Sequence, residues 1–411
     1  MVTLNGRLKM NNVVGGMMRM SRISRRDFVK QGLTMGAITC IPGMVLNSLI
    51  GCSSSVPGIE LPKMNLSWQT LQVKRPWAPD FDSEGKLWFG REHLYRTDPL
   101  TMKTEIIDCS SLEGLPLSAV LCQGDLVYIL GQKTPWLHAW NKERREFVKF
   151  ELPDADSNIW FGVRVPDDPR LYMYVRNRSH LAVWDSELNR GHTIPYPDGM
   201  DLWSGFYSPI DQAIYSFTLD AKPARMVRFD LKKQVYDRVI PAPDPDLEIT
   251  GINPIGHVLY CADRFTGRIF PYDLDRGEWG EPQQAPGLGT KYAFVGMGCT
   301  YGDIALYSLS TYKGNMKYDF NTNKYLSTGD ENIGIDGKPH HFLNEYLIYH
   351  PDSGTFDFLK ADAGVGRYPL ICYSIVHDDQ LFITGSDLWN NDKGYVDIDQ
   401  PGEMCIFHSI K

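Results

Sequence analysis

Met226-Val227-Arg228-Phe229-Asp230 belongs to a series that decides the fold. Each member is an apolar or aromatic stretch that leads to Asp or Asn and then to a polar turn. The others are Leu94-Tyr95-Arg96-Thr97-Asp98, Leu137-His138-Ala139-Trp140-Asn141, Leu181-Ala182-Val183-Trp184-Asp185 and Ile269-Phe270-Pro271-Tyr272-Asp273. Leu347-Ile348-Tyr349-His350 repeats the pattern more loosely. The five Asp/Asn positions fall 43, 44, 45 and 43 residues apart. Between them run strands of four to seven residues, separated by turns rich in Gly, Pro, Asp and Asn. A period in the mid-forties built of short strands predicts an all-β fold, the blades of a β-propeller.

Working outward, four-stranded antiparallel blades are expected from Pro76 to Asp108, Pro116 to Leu152, Ile159 to Tyr196, Leu202 to Ile240 and Leu247 to Ala285. A sixth begins at Tyr292 and is stretched by an insertion, Thr311 to Asn344. A seventh has strands at Leu370-Val376, Gln380-Ser386 and Glu403-His408, with a second insertion at Asp387 to Gly402, and lacks its fourth strand. Leu66 to Val73 is an unassigned strand. Pairing it with the seventh blade closes the ring and removes two exposed sheet edges. The expectation is therefore a seven-bladed propeller over residues 66–411, six or eight blades being the alternatives.

Near the start, Ser24-Arg25-Arg26-Asp27-Phe28-Val29-Lys30 resembles the twin-arginine export signal. The apolar run from Gly32 to Ile50 is broken by Pro42, Gly43 and Asn47, unlike a membrane span of roughly 20 uninterrupted apolar residues. It ends in Leu49-Ile50-Gly51-Cys52, which resembles a lipoprotein box, with Cys52 as the lipidated residue. Residues 1–51 then read as a processed signal and residues 52–65 as a tether. The resemblance implies export, and anchoring in the periplasm or at the cell surface.

A net charge of −8 is too acidic for a nucleic-acid partner. Cys109, Cys122, Cys261, Cys299, Cys372 and Cys405 form no C-x-x-C pair and read as small buried residues, although a Cys122–Cys299 type of bridge is open. No cofactor is expected. The Asp-rich links between blades leave a structural Ca²⁺ or other metal open, with no EF-hand spacing.

In a four-stranded blade, the first-to-second and third-to-fourth turns share one end of the axis. The second-to-third loops and the links share the other. The first-to-second turns carry Asp82, Asp125, Asp168 and Asp211, among others. The loop end carries Arg91, His93, Arg176, Arg178, His180, Lys222 and Arg264, and the insertions add Lys313, Lys317, His340, His341 and Trp389. A focused positive potential attracts anions, whereas tight turns favour Asp without any function. Asp198, Asp201, Asp244 and Asp246 in the links count against a purely cationic end.

Cations interleaved with aromatic rings, here Trp136 and Trp389, suit an acidic sugar polymer: rings cover sugar faces while Arg or Lys holds carboxylate. They also suit a protein partner. Arg367-Tyr368 precedes the innermost strand of the seventh blade. Tyr, His and Arg together are what β-elimination of a uronate needs: a cation neutralises the carboxylate, a base takes the adjacent proton, and a Tyr or His protonates the leaving oxygen. The candidates are Tyr368, His340, His341, His93 and His180 for catalysis, and Arg91, Trp136, Arg176, Arg178, Lys222, Arg264, Arg367 and Trp389 for substrate. In layout, export signal and loop face, the chain resembles the secreted propeller enzymes of bacterial glycan degradation, the ulvan lyases and propeller rhamnosidases. That resemblance implies a monomer cleaving an acidic, uronate-containing polysaccharide. The competing readings are a non-catalytic glycan- or protein-binding propeller and a scaffold subunit.

Overall fold

The Asp or Asn that marks each repeat closes a hairpin. Asp185 Oδ1 accepts the backbone N–H of Glu187 (3.1 Å) and Leu188 (2.9 Å), and Asp273 Oδ1 accepts those of Asp275 and Arg276 (both 2.9 Å). Asp98, Asn141 and Asp230 do the same for their own turns. Four residues on, the chain turns through the left-handed region at Arg145, Asn189, Gln234, Gly277 and Gly354. The computed structural model that shows this describes residues 65–67, 70–72, 77–90, 93–101, 103–113, 119–131, 134–153, 159–175, 179–218, 223–264, 266–287, 294–310, 317–319, 324–326, 345–360, 369–377, 380–388 and 403–410.

These hairpins assemble into seven antiparallel sheets of four or five strands. Sheet one joins Trp77–Phe81, Leu87–Gly90, His93–Thr97 and Thr104–Asp108. Sheets two to five each take four consecutive strands: Ala119 to Glu151, Ile159 to Pro195, Leu202 to Pro241, and Ile249 to Trp279. Gln283–Gln284 is added to sheet five. Sheet six is Phe294–Tyr301, Ile304–Ser310, Glu345–His350 and Thr355–Lys360. A small hairpin, Lys317–Asp319 with Lys324–Leu326, lies between its second and third strands in sequence. Sheet seven is Pro369–His377, Gln380–Leu388 and Glu403–Ile410, completed by Asn65–Ser67 and Thr70–Gln72, which both pair with Glu403–Ile410. The expected strand at Leu66–Val73 is thus present, as two short pieces. Among the described residues the only helix is a single 3₁₀ turn, Pro197–Gly199.

The first strands of successive sheets lie against one another, from sheet one through to sheet seven, and Pro369–His377 also lies against Trp77–Phe81. The core sits between neighbouring sheets. Trp88 and Leu94 pack with Val120 and Ile129, Tyr128 and Leu137 with Met173 and Trp184, and Tyr215 and Met226 with Leu259 and Phe270. Second strands are therefore buried on both faces, as Leu87–Gly90 and Ala213–Thr218 show, and read as mostly apolar runs without strict alternation. Fourth strands such as Arg190–Pro195 are largely exposed. This gradient from axis to rim is what propeller blades require.

The aromatic residue of the repeat also has a physical role. Trp140 stands opposite Phe147, Phe229 opposite Tyr236, Tyr272 opposite Trp279 and Tyr349 opposite Phe356 on the adjoining strand. Ring centroids in these pairs are 4.8 to 5.0 Å apart. Such cross-strand pairs each contribute up to about 1 kcal/mol. In sheet one the equivalent rung is Thr97 with Thr104, their hydroxyls 2.9 Å apart. In sheet three Trp184 faces Gly191, and Phe150 of sheet two packs on it at 4.9 Å.

Cys109, Cys122 and Cys261 are buried free thiols, and Cys299 is partly buried. Burial raises the first three, Cys109 to about 12. They act as apolar filling.

Candidate functional site

At the turn end, most of the acidic first-to-second turns prove to be framework. Asp82 Oδ2 accepts the indole N–H of Trp88 at 2.8 Å, and its Oδ1 accepts the N–H groups of Glu84 and Lys86. Burial pushes the Asp82 carboxyl up. The Trp88 bond, those backbone donors and the Lys142 ammonium at 3.5 Å outweigh it, leaving the group below its ordinary value. Asp168 repeats the pattern: burial raises it, and bonds from the Arg170 guanidinium (2.7 and 2.8 Å) and Tyr172 hydroxyl (2.9 Å) bring it below the usual range. Asp211 accepts from the Tyr215 hydroxyl and from Arg228. The acidic turns are thus explained mainly by turn chemistry and local pairing.

Closer to the axis, Asp80 of sheet one's first strand is 7% exposed and takes four donors. Its Oδ1 accepts the N–H of Phe81 and Nη2 of Arg164; its Oδ2 accepts the N–H of Cys122 and Nε of Arg164. One carboxylate therefore ties the first strands of sheets one, two and three. On its other side, Phe81 stacks on His377 of sheet seven, centroids 4.3 Å apart and planes 4° apart. A charged residue in the innermost strand was the signal for this cluster, and the charge sorting by turns passed over it.

At the loop end, four of the predicted site residues are described. His93, Trp136 and His180 each open a third strand, in sheets one, two and three. Arg264 lies just past the second strand of sheet five. They share an end and are distributed one or more blades apart, so they do not form a cluster. Two of the described candidates are locally engaged. His93 Nδ1 is 3.5 Å from Asp108, and Arg264 Nη1 donates to Glu248 at 2.6 Å. The neighbouring cations Arg225 and Arg268 reach Asp198 (3.7 Å) and Asp244 (2.8 Å) in the links. Two of the link carboxylates that weighed against a cationic end, Asp198 and Asp244, thus pair with described cations there. Over the Trp136 ring sits the Lys149 ammonium, 4.3 Å from the centroid.

Tyr368, His340, His341, Arg91, Arg176, Arg178, Lys222, Arg367, Trp389 and the lipidation residue Cys52 lie outside the described residues. Sequence reading did not single out His138, on the same third strand as Trp136. It is 6% exposed, and its Nε2 is buried without a partner. Burial, and to a smaller degree Lys149, holds the imidazole below its ordinary value against the pull of Glu113, so it is neutral at neutral pH. Its position within a buried strand run, His-Ala-Trp, hid it: strand alternation gives no sign of which polar side chain is enclosed. Among the described residues no group of three His, Cys, Asp or Glu is arranged to hold a metal.

No family model and no curated protein matches the chain. Solved structures do. A catalytically inactive histidine-to-alanine variant of virginiamycin B lyase from Staphylococcus aureus, solved with quinupristin, matches at 11% identity and a TM-score of 0.58. The match covers 84% of this chain and 100% of that one. A streptogramin B lyase matches at 10% identity and 0.54, over 83% and 97% of the two chains. The Pan2 WD40 domain of Neurospora crassa matches at 9% and 0.55, over 82% and 90%. Lyases and a WD40 domain resemble this chain almost equally, so the likeness is one of architecture: the chain has the fold of a β-propeller.

Proposed function

We propose that the chain is an exported, lipid-anchored, monomeric seven-bladed propeller, its ring closed by the N-terminal strand. It binds an acidic, uronate-containing polysaccharide at its loop end and cleaves it by β-elimination. The observation that carries this reading is the likeness, over 84% of this chain, to virginiamycin B lyase, which has a catalytically inactive histidine-to-alanine variant. By the layout of the sequence, the His and Tyr candidates belong to the loop end. Arg176, Arg178, Lys222 and Arg367 neutralise the uronate carboxylate, one of Tyr368, His340 and His341 takes the proton next to it, and another protonates the departing oxygen. His93 and His180 hold the loops from their strand ends. Incubation with ulvan, rhamnogalacturonan or a glucuronate-containing gum should generate new ultraviolet absorbance from the unsaturated product. No absorbance with any of the three rules out the lyase.

A second reading is favoured by one specific observation. His93, Arg264, Arg225 and Arg268 are already paired with Asp108, Glu248, Asp198 and Asp244, as in a framework. On this reading the loop end binds a glycan or an envelope protein without chemistry. Glycan affinity without product, altered by Arg367→Ala and by nothing at the strand ends, distinguishes it.

A further inference from the structure

The register of sheet seven fixes where the chain enters the propeller. Gln380 follows the first-to-second turn of that sheet, so the second strand begins at the turn end. His408 stands opposite Phe382, which puts Ile410 at the turn end as well, and Asn65 stands opposite Ile410. The N-terminal strand therefore starts at the turn end, on the rim, and runs toward the loop end, where Gln72 meets Glu403. The anchor proposed at Cys52 lies thirteen positions before Asn65. Fully extended, that stretch spans at most about 45 Å. The eight residues of Glu403–Ile410 rise about 26 Å from one end of the blade to the other. The length of the tether thus favours a turn end close to the bilayer but leaves room for the molecule to turn over.

The placement of exposed apolar side chains removes that freedom. Among the described residues the large ones are Leu100, Ile106, Leu188, Ile210, Val235 and Val239. Single exposed aliphatics are ordinary on a protein surface, but these are unevenly distributed. Leu100 and Leu188 sit in third-to-fourth turns, and Ile210 sits in a first-to-second turn. Val235 is the first residue after a third-to-fourth turn. All four belong to the turn end, on sheets one, three and four, and are 36% to 75% exposed. Ile106 and Val239 lie on outer fourth strands, and none of the six is in a loop or link of the loop end. Exposed charges in neighbouring turns are mixed, Arg144 beside Glu143 and Arg276 beside Asp275, so those turns offer no net charge to a lipid surface. Aliphatic side chains on protruding turns suit the boundary between headgroups and acyl chains. We propose that the turn end, through Leu100, Leu188, Ile210 and Val235, rests on the membrane that holds the anchor, so that the loop end opens away from it. This orientation rests on the reading of Cys52 as lipidated, and it leaves the loop end open to a polymer arriving from solution.

The test uses the acylated chain, purified from membranes and reconstituted in phosphatidylcholine vesicles that contain a lipid with a nitroxide on its headgroup. A fluorophore is placed on Glu187→Cys, in an exposed turn of the turn end, or on Glu151→Cys, exposed at the loop end. The chain without either substitution, treated alike, gives the background from the native thiols. Quenching should be at least about threefold stronger at position 187. Leu100→Ser, Ile210→Ser and Val235→Ser together should at least halve that difference. All three side chains are exposed, so an unchanged melting temperature verifies the fold. Equal quenching at the two positions, or stronger quenching at 151, in a chain whose mass shows acyl groups on Cys52, overturns the orientation and leaves the anchor standing. A difference untouched by the triple substitution overturns the apolar contact. A chain from membranes that carries no acyl mass on Cys52 removes the anchor, and the orientation falls with it.

Discussion

At the scale of single residues, Asp80 and His138 are the two side chains on which most depends. Asp80 accepts one backbone N–H from its own strand, one from sheet two, and two guanidinium bonds from sheet three. Asp80→Ala strips three first strands of a shared acceptor. Arg164 stays one-third exposed and can turn to water, which limits the loss. The expected cost is about 2 kcal/mol, from charged hydrogen bonds lost and the Cys122 N–H left in an apolar place. Urea denaturation of the variant reads it directly, and a change below about 0.5 kcal/mol contradicts the tie. His138 gives a pH effect of definite sign. Its value in the folded chain lies below the ordinary 6.5, so the unfolded chain binds the proton first. Above that value His138 contributes no pH dependence. As pH falls through 6.5 toward the folded value, stability is progressively lost. His138→Gln should therefore melt less steeply with acidification between pH 7 and pH 5 than the unsubstituted chain. Parallel melting curves across that window would show that the imidazole is not held neutral.

Individual blades show why the repeat was so visible. Its Asp or Asn satisfies turn N–H groups only two or three residues away, and its aromatic ring packs on the adjoining strand. Both are local requirements, so they recur in sequence with the period of the blade. Asp185→Ala removes two such bonds from an exposed turn and should cost about 1 kcal/mol, by thermal or urea unfolding, without moving any neighbouring sheet. A larger loss would mean that Asp185 serves more than its own turn. What joins blades is far less legible. Arg164 finds Asp80 from 84 positions away, and Arg268 finds Asp244 from 24. Sorting charges by chain position put the loop-end cations and the link carboxylates on the same end but gave no reason to pair them. That pairing depends on how twisted neighbouring strands aim their side chains, which no periodicity encodes. The same limit applies to His138, whose electrostatic surroundings include Glu113 in the preceding link.

For the whole molecule, the decisive contact is between the two ends of the propeller sequence. Asn65–Ser67 pairs with His408 to Ile410, and Thr70–Gln72 with Glu403 to Cys405, so both pieces cover the same outer strand of sheet seven. Without them Glu403–Ile410 presents a free edge, a template for pairing with another chain. The innermost strand of that sheet also lies against sheet one, so a loosened seventh sheet is felt at the seam where His377 stacks on Phe81. A variant that begins after residue 73, compared with one that begins at residue 53, should melt at least about 5 °C lower. It should also form concentration-dependent oligomers in sedimentation. A synthetic peptide spanning residues 64–73, added in excess, should restore both properties by re-forming the strand in trans. If the shortened chain melts unchanged as a monomer, the N-terminal strand is an ornament on sheet seven. If the loss occurs and the peptide reverses it, pairing of chain start with chain end is what holds the seven sheets together as one unit.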